Sequence, residues 1–529
     1  MSNRRLIAFN GLVVWVGASA VVLVLLGWML YSMADRGGGP GSEAKQLKVL
    51  CAAGIRLAME PIAEEYEKEY GVKISFDFQG SGTLLSNMKI DKTGDLYLAA
   101  DDSYIELARK DSLVQEEIPL AKMRPVILVS GDNPHQIEGI NDLINKDVRV
   151  ALGNTGQAAI GKSTKKLLTA SGHWEELEKK VTKIGTFLPT VNEIANAVKT
   201  GGMDAAIVWD ATAAQYPALK AIRTEELDAG MDSITIGVLT SSDHPTEALR
   251  FARYAGARDK GLQMFQKNGF EVVEGDVWEE EPKLTFFAGA VNRRALEPII
   301  RRFSLREGVE IKTSFNGCGI LTGTMKGIPD QATSQGFPDI FMACDIYYLD
   351  QVQDWFGEGV NVSDTDIVIA VPKNNPAGIE TLDDLAKPGV KLTVGQPKQC
   401  TIGVLTEHLL KTEDAKSPGF FEAVMMNVVS QTPSSAMLVP SVIAKSEGSP
   451  TAADATLAYR TDCQAEKEKI KIIPIDSPAA KAIQPYSIAK TSQKKQLAHR
   501  LYEAIARSRD DFEKAGFNWR LNDDAGNRP

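Results

Sequence analysis

LKVLCAAGIRLAMEPIAEEYEKEYGVKISFDFQGSGTLLSNMK (residues 47–89) and LTFFAGAVNRRALEPIIRRFSLREGVEIKTSFNGCGILTGTMK (residues 284–326) are one pattern met twice in the same chain. They align without a gap: Pro298 follows Pro61 by 237 residues, and Gly319 follows Gly82 by the same 237. In that frame Arg56 meets Arg293, Glu60 meets Glu297, Ile62 meets Ile299, Gly71 meets Gly308, Phe78 meets Phe315, Gly80 meets Gly317 and Met88 meets Met325. A period this long is no solenoid repeat, so the chain reads as two whole domains in tandem, and each functional position can be examined twice.

Working outward, each copy alternates strands and helices. In the first, KVLCAA reads as a strand, LAMEPIAEEYEKEY as an amphipathic helix, VKISFDF as a strand, GTLLSNMK as a helix start and DLYLAA as a strand. The pattern restarts with VRVALG (strand), GKSTKKLLTAS and VNEIANAVKTG (helices) and DAAIVW (strand). This is the signature of mostly parallel sheets covered by helices, an α/β class. Residues 124–134 and 233–245, with 365–376 and 484–492 in the second copy, read as crossovers between halves. The expectation is two tandem clamshells, each of two α/β lobes joined by two hinge-crossing strands. A ligand would sit at the carboxyl ends of the strands.

Composition narrows the class of function. The 529 residues are 43% hydrophobic and 24% charged, ordinary for globular protein. A net charge of −10 and a pI near 5.3 give no nucleic-acid footprint. Four of the five cysteines (Cys318, Cys344, Cys400 and Cys463) fall in the second copy, with neither a disulfide-scaffold density nor a CxxC spacing. No catalytic-triad spacing, metal-ligand cluster, nucleotide fingerprint or Walker phosphate loop occurs, so neither an enzyme nor a cofactor or metal is expected.

Residues 11–31 carry no charge and are long enough to cross a bilayer core of about 30 Å, with Arg4 and Arg5 favouring a cytoplasmic N-terminus. Two readings stand: an uncleaved membrane anchor, or a signal peptide cut after Ser32-Met33-Ala34. Either places the bulk of the chain outside the cytoplasmic membrane, as a single-pass or released protein. The expected organisation is an anchor or signal over 1–34, a flexible tether over 35–45, a first domain over 46–271, a linker over 272–283, a second domain over 284–518 and a tail over 519–529.

Four loops recur at matched places, each ahead of an expected helix. They are Ala52–Ile55 with Gly289–Asn292, Gly80–Thr83 with Gly317–Ile320, Gly153–Gly161 with Gly395–Gly403, and Pro189–Asn192 with Pro433–Ala436. A helix start offers unpaired N–H donors and a partial positive charge, and glycine lets backbone approach a ligand closely. Several such starts converging on one cleft make an anion site without lysine or arginine. A glycine-serine-glycine start is also simply how a helix is capped. Its recurrence at one offset, beside three others, favours the anion site.

In these loops the chain resembles the periplasmic molybdate-binding proteins of ABC transporters, a type II periplasmic-binding-protein fold, twice over about residues 46–271 and 284–518. The pieces that carry the resemblance are AAGI, FQGSGTL, GDLYLAADD, GNTGQAAIG and AIVWDATAA in the first copy. In the second they are FNGCGIL, PDIFMACD, VGQPKQCTIG and LAYRTDCQ, and NGF (268–270) and AGF (515–517) close the two copies. The resemblance implies oxyanion binding through two serines, backbone N–H groups of the later loops and a tyrosine. The first serine falls on Gly54 and Val291, and the second on Ser81 and Cys318 with Gly82 and Gly319 beside them. The backbone donors fall on Ile160, Val191, Ile402 and Ser435, and the tyrosine on Trp209 and Tyr459. Each lost hydroxyl should weaken binding by about 1 kcal/mol or more unless water replaces it. The implied function is the extracytoplasmic solute-binding component of an ABC importer, taking molybdate or tungstate first and partnering a permease and an ATPase. The departures leave open a degenerate protein serving as a structural or sensory subunit of a membrane complex.

Cys318 and Cys400 stand at expected helix N-termini on opposite lobes of the second copy. A helix N-terminus lowers a thiol pKa. Small buried hydrophobes, a disulfide across the cleft, thiols in a ligand or metal site, and a nucleophile are all open readings. Arg460 beside Tyr459 is either an added cation at the site or an exposed side chain.

Overall fold

The computed structural model describes residues 46–329, 336–446, 449 and 452–521. The apolar run 11–31 and the tether to residue 45 lie outside the described residues, as does most of the expected tail. Among the described residues no helix is long and apolar enough to cross a membrane.

The first copy contributes strands β1 (Gln46–Ala52), β2 (Lys73–Gln79), β3 (Leu96–Ala99), β4 (Val114–Met123), β5 (Pro125–Ser130), β6 (Val150–Gly153), β7 (Thr186–Leu188), β8 (Ala205–Trp209), β9 (Leu219–Ile222), β10 (Asp232–Leu239) and β11 (Glu271–Val272). They form two sheets, ordered β11-β4-β10-β3-β1-β2 and β7-β6-β8-β5-β9. Within each lobe the central pairs, β1 with β2 and β3 and β6 with β7 and β8, run parallel, and the returning strands β10 and β5 run antiparallel to them. Strands β3, β6 and β8 are buried along their whole length, which is why they read as continuous apolar runs.

The second copy adds β12 (Lys283–Gly289), β13 (Glu310–Asn316), β14 (Ile340–Met342), β15 (Val360–Pro372), β16 (Leu392–Gly395), β17 (Val428–Thr432), β18 (Ala455–Tyr459), β19 (Ile470–Pro474), β20 (Lys481–Ile488) and β21 (Asn518–Trp519). Here one long strand does what two do in the first copy. Residues Val360–Asp366 of β15 pair with β20, and Ile367–Pro372 pair with β18 and β19, so a single sheet runs through both lobes. In the first copy the same passage is interrupted at Arg124, ahead of Pro125. Its backbone N–H turns aside to Asp210 Oδ1 at 3.1 Å. The passages at Arg124 and within β15 fall inside the expected crossovers 124–134 and 365–376, whereas 233–245 and 484–492 are corrected: β10 and β20 pair within one lobe's sheet only.

The opening helices explain why the repeat is legible. Arg56–Tyr70 and Arg293–Glu307 each stop at a glycine with positive φ, Gly71 at 70° and Gly308 at 65°, whose N–H closes on the last turn. Pro61 cannot donate to Leu57 O, and Asn268 Nδ2 reaches that carbonyl at 3.4 Å instead.

The copies pack against each other, and residues 272–283 are not a free linker. Asp276 accepts from the N–H groups of Gln496 and Leu497 at 2.9 Å each, at the start of helix Lys495–Ala506. Trp278 Nε1 donates to Tyr70 Oη at 3.0 Å. At the centre of the seam Glu307 is fully buried and accepts from Arg500 Nε at 2.6 Å and Arg253 Nη1 at 2.9 Å. Burial pushes the Glu307 carboxyl up, but the two guanidiniums outweigh it and hold it below the usual range. At the other end Trp519 packs on Phe512 and Arg520 reaches Asp364 at 2.8 Å, so packing continues past residue 518 into the expected tail.

Candidate functional site

In the first copy the four loops converge. The turn Ala52-Ala53-Gly54 leaves β1, Gly80-Ser81 opens helix Ser81–Asp91, and Ala158-Ala159-Ile160 opens helix Ala159–Ala170. Thr190-Val191 opens helix Val191–Lys199, and Trp209 ends β8. All line one cavity of about 250 Å³ counting its mouth, completed by Gln79 and Ala100. None of the lining side chains is charged. Gln79 and Ala100 are additions to the sequence reading. Each lies inside a motif already quoted, FQGSGTL and GDLYLAADD, at the carboxyl end of a strand.

The donors are backbone and hydroxyl. Helix geometry leaves the first-turn N–H groups of Ser81, Ile160 and Val191 without intrahelical partners. Ser81 is 1% exposed; its Oγ accepts from Ala100 N at 3.1 Å and its carbonyl from Tyr97 Oη at 2.8 Å. The first contact occupies the oxygen, leaving the hydroxyl proton to donate into the cavity. Trp209, in the tyrosine position, is 1% exposed and offers an indole N–H at most.

Gly82 does something else. Its N–H donates to Gln157 O at 2.9 Å, across the cleft, and it does not line the cavity. A Cβ on Gly82 would come within 2.1 Å of Gly156 O, and one on Gly80 within 2.3 Å of Gln157 O. These glycines let one lobe's helix start sit against the other lobe's backbone. Gly319 shares this role, for a Cβ there would meet Lys398 O at 2.7 Å. Gly82 and Gly319, expected beside the ligand, thus stand where the two lobes meet.

The missing first serine has a steric partner. A Cβ on Gly54 would lie 2.7 Å from Val191 Cγ1. The second copy reverses the sizes, with Val291 in the glycine position and Ser435 in the valine position. The two turns touch in both copies. Bulk has moved from one side of the contact to the other, and Val291 and Ser435 are both buried.

Strand register then aligns the rest of the second site. Cys51 pairs with Leu98 and its counterpart Ala288 pairs with Met342, so Ala100 corresponds to Cys344. Likewise Ala158 and Ala159 become Cys400 and Thr401, and Ile160 becomes Ile402. Cys318 and Cys344 touch: Cys318 Sγ donates to Cys344 Sγ at 2.8 Å, and Cys344 N donates to Cys318 Sγ at 3.1 Å. Of the readings open for these thiols, a bond between Cys318 and Cys400 across the cleft is not what forms here: Cys318 contacts Cys344 within one lobe. Cys400 Sγ turns to Thr432 O at 3.6 Å. Burial pushes its thiol up to about 11, overriding the helix-start effect expected to lower it. The hydrogen bond from Cys318, with burial, pushes Cys344 up as well. Tyr459 is 1% exposed and its hydroxyl lacks a partner among the described residues, the mark of a buried group that a ligand or water would satisfy. Arg460 is exposed and pairs with Asp366 at 3.3 Å, away from the site.

Among the described residues no group of three or more histidine, cysteine, aspartate or glutamate side chains is placed to hold a metal ion. Comparison with known proteins finds a binding protein of Haemophilus influenzae, 26% identical over 228 residues, covering 43% of this chain and 91% of that one. The molybdate-binding protein ModA of Mycobacterium bovis is 24% identical over 266 residues, covering 48% of this chain and 98% of its own. Among solved structures, the periplasmic molybdate-binding protein of Azotobacter vinelandii is similar with a TM-score of 0.38 at 16% identity, covering 42% of this chain and 98% of that one. The model of a non-enzymatic family matches twice, over residues 47–271 and 284–518, and the chain belongs to that family, the bacterial extracellular solute-binding proteins.

Proposed function

We propose that this chain is the membrane-anchored, extracytoplasmic binding component of an ABC importer, and that its first copy captures a tetrahedral oxyanion of the molybdate and tungstate class. The observation that carries the reading is the uncharged cavity onto which the helix starts at Ser81, Ile160 and Val191 converge. The curated Mycobacterium bovis relative named for molybdate binding supports it. Gly54, Ser81, Ile160, Val191 and Trp209 surround the ion, and closure over it presents the complex to a permease and ATPase. Residues 11–31 supply the anchor, and 46–271 and 284–518 the two binding domains. Isothermal titration calorimetry of the purified protein with molybdate, tungstate, sulfate and phosphate tests it. Saturable heat with at least one is expected, and no heat with any would overturn the oxyanion reading.

The second copy supports a different reading of itself. Cys318 stands for Ser81 and bulky Val291 for Gly54, so Val291, Cys318, Ile402, Ser435 and Tyr459 frame an altered site. We assign it a structural or sensory part in the membrane complex. Affinity purification from membranes tests this: stable partners beyond a permease and ATPase support it, and their absence contradicts it.

A further inference from the structure

We propose that Cys318 and Cys344 are a redox pair that closes to a disulfide in the floor of the second cleft. Three observations meet there. The thiols are 0% and 4% exposed and touch, Sγ to Sγ, at 2.8 Å, inside the ordinary contact distance of two sulfurs. The Cys344 N–H on Cys318 Sγ at 3.1 Å fixes the first residue of helix Cys318–Lys326 against the end of β14, as Ala100 N–H on Ser81 Oγ does in the first copy. The two cysteines therefore replace two residues already in contact in the same frame, Ser81 and Ala100. Neither change alone would create a bondable pair.

The reaction is thiol–disulfide exchange. One thiolate attacks an external disulfide, forming a mixed disulfide and releasing one thiol. The second cysteine then attacks the mixed disulfide and releases the other. The two protein thiols are oxidised, the external disulfide is reduced to two thiols, and the two thiol hydrogens leave with them. In the closed cleft the opposite lobe covers the pair: a Cβ on neighbouring Gly317 would lie 2.5 Å from Gln399 O. Exchange therefore belongs to the open state. Once closed, the bond withdraws both S–H groups from the place where the first copy presents the Ser81 hydroxyl. The second cleft then keeps the Tyr459 hydroxyl and the helix start at Ile402. The oxidising compartment rests on the extracytoplasmic location proposed above. The chemistry does not, so a failure of one leaves the other standing.

The test uses the full chain, reduced, then incubated with oxidised glutathione without any solute, unfolded in an alkylating reagent and mapped by mass spectrometry. The expected product is a linked Cys318–Cys344 peptide pair lacking two hydrogens, with Cys51, Cys400 and Cys463 alkylated. The Cys344→Ser protein should give no linked peptide, and Cys318 should be recovered alkylated or as a glutathione adduct. Recovery of all five cysteines alkylated after oxidation, or a Cys318–Cys400 link, would overturn the proposal.

Discussion

The clefts of the two copies hang on matching frames and put different chemistry at their centres. At Ser81, Ala100, Ala158, Ala159 and Trp209 the first presents one hydroxyl, three methyls and an indole. At the matching places the second presents Cys318, Cys344, Cys400, Thr401 and Tyr459. The helix starts and the glycines that let the lobes meet are kept in both. Backbone donors survive any side chain, so duplication preserves an electrostatic frame while leaving the contact side chains free to diverge. The same holds at the seam. Tyr70 and Glu307 occupy matching helix positions, as do Arg250 and Arg500. In the first copy Arg250 lies over the Tyr70 ring at 4.4 Å, whereas in the second Arg500 makes a buried ion pair with Glu307 that also recruits Arg253 of the first.

The largest expected effect is at that seam. Glu307→Ala leaves two buried guanidiniums unpaired and should destabilise the protein by about 3–5 kcal/mol in denaturant unfolding. Tyr70→Ala in the first copy removes no buried charge pair and should not match that loss.

Asp232 in β10 is pushed up to about 6, first by burial and next by Asp101, and accepts from Ser163 Oγ at 2.5 Å. The folded state thus holds the proton more tightly than the unfolded one. The penalty is absent below about pH 4, grows between roughly pH 4 and 6 and is complete above, on the order of 2–3 kcal/mol. Asp232→Asn should gain about that much above pH 6 and nothing below pH 4, as read from unfolding across pH.

Ser81→Ala removes a hydroxyl donor to an anion, costing about 1.5–3 kcal/mol, or roughly ten- to a hundredfold in Kd by calorimetry. Cys318→Ala should leave that Kd unchanged. The smallest expected effect is a gain: Cys318→Ser with Cys344→Ala gives the second cleft the first's hydroxyl and methyl. It should strengthen oxyanion binding there by about 1 kcal/mol, read as a second, weaker phase of heat.

The four loops that line the first copy's cavity were legible because helix starts and glycines act locally, and the repeat displayed each twice. Lobe closure was not, since Gly82 meets Gln157 only when residues 75 apart in sequence are brought together. The match of Cys344 with Ala100 could be read by setting GDLYLAADD against PDIFMACD, but the contact of Cys318 with Cys344 could not, since it needs the start of helix Cys318–Lys326 brought against the end of β14. The Glu307 triad joins residues 193 apart and has no local signal. The size exchange between Gly54 with Val191 and Val291 with Ser435 was visible as two lost serines, but its compensating nature needs the contact.

The most direct test of the account is the stoichiometry of oxyanion binding to the intact chain. Calorimetry with molybdate should give one ion per chain, with the isotherm shifted roughly ten- to a hundredfold to weaker Kd in Ser81→Ala and unchanged in Cys318→Ala. Two equivalent ions per chain, or a single site abolished by the Cys318 change and indifferent to Ser81, would contradict it.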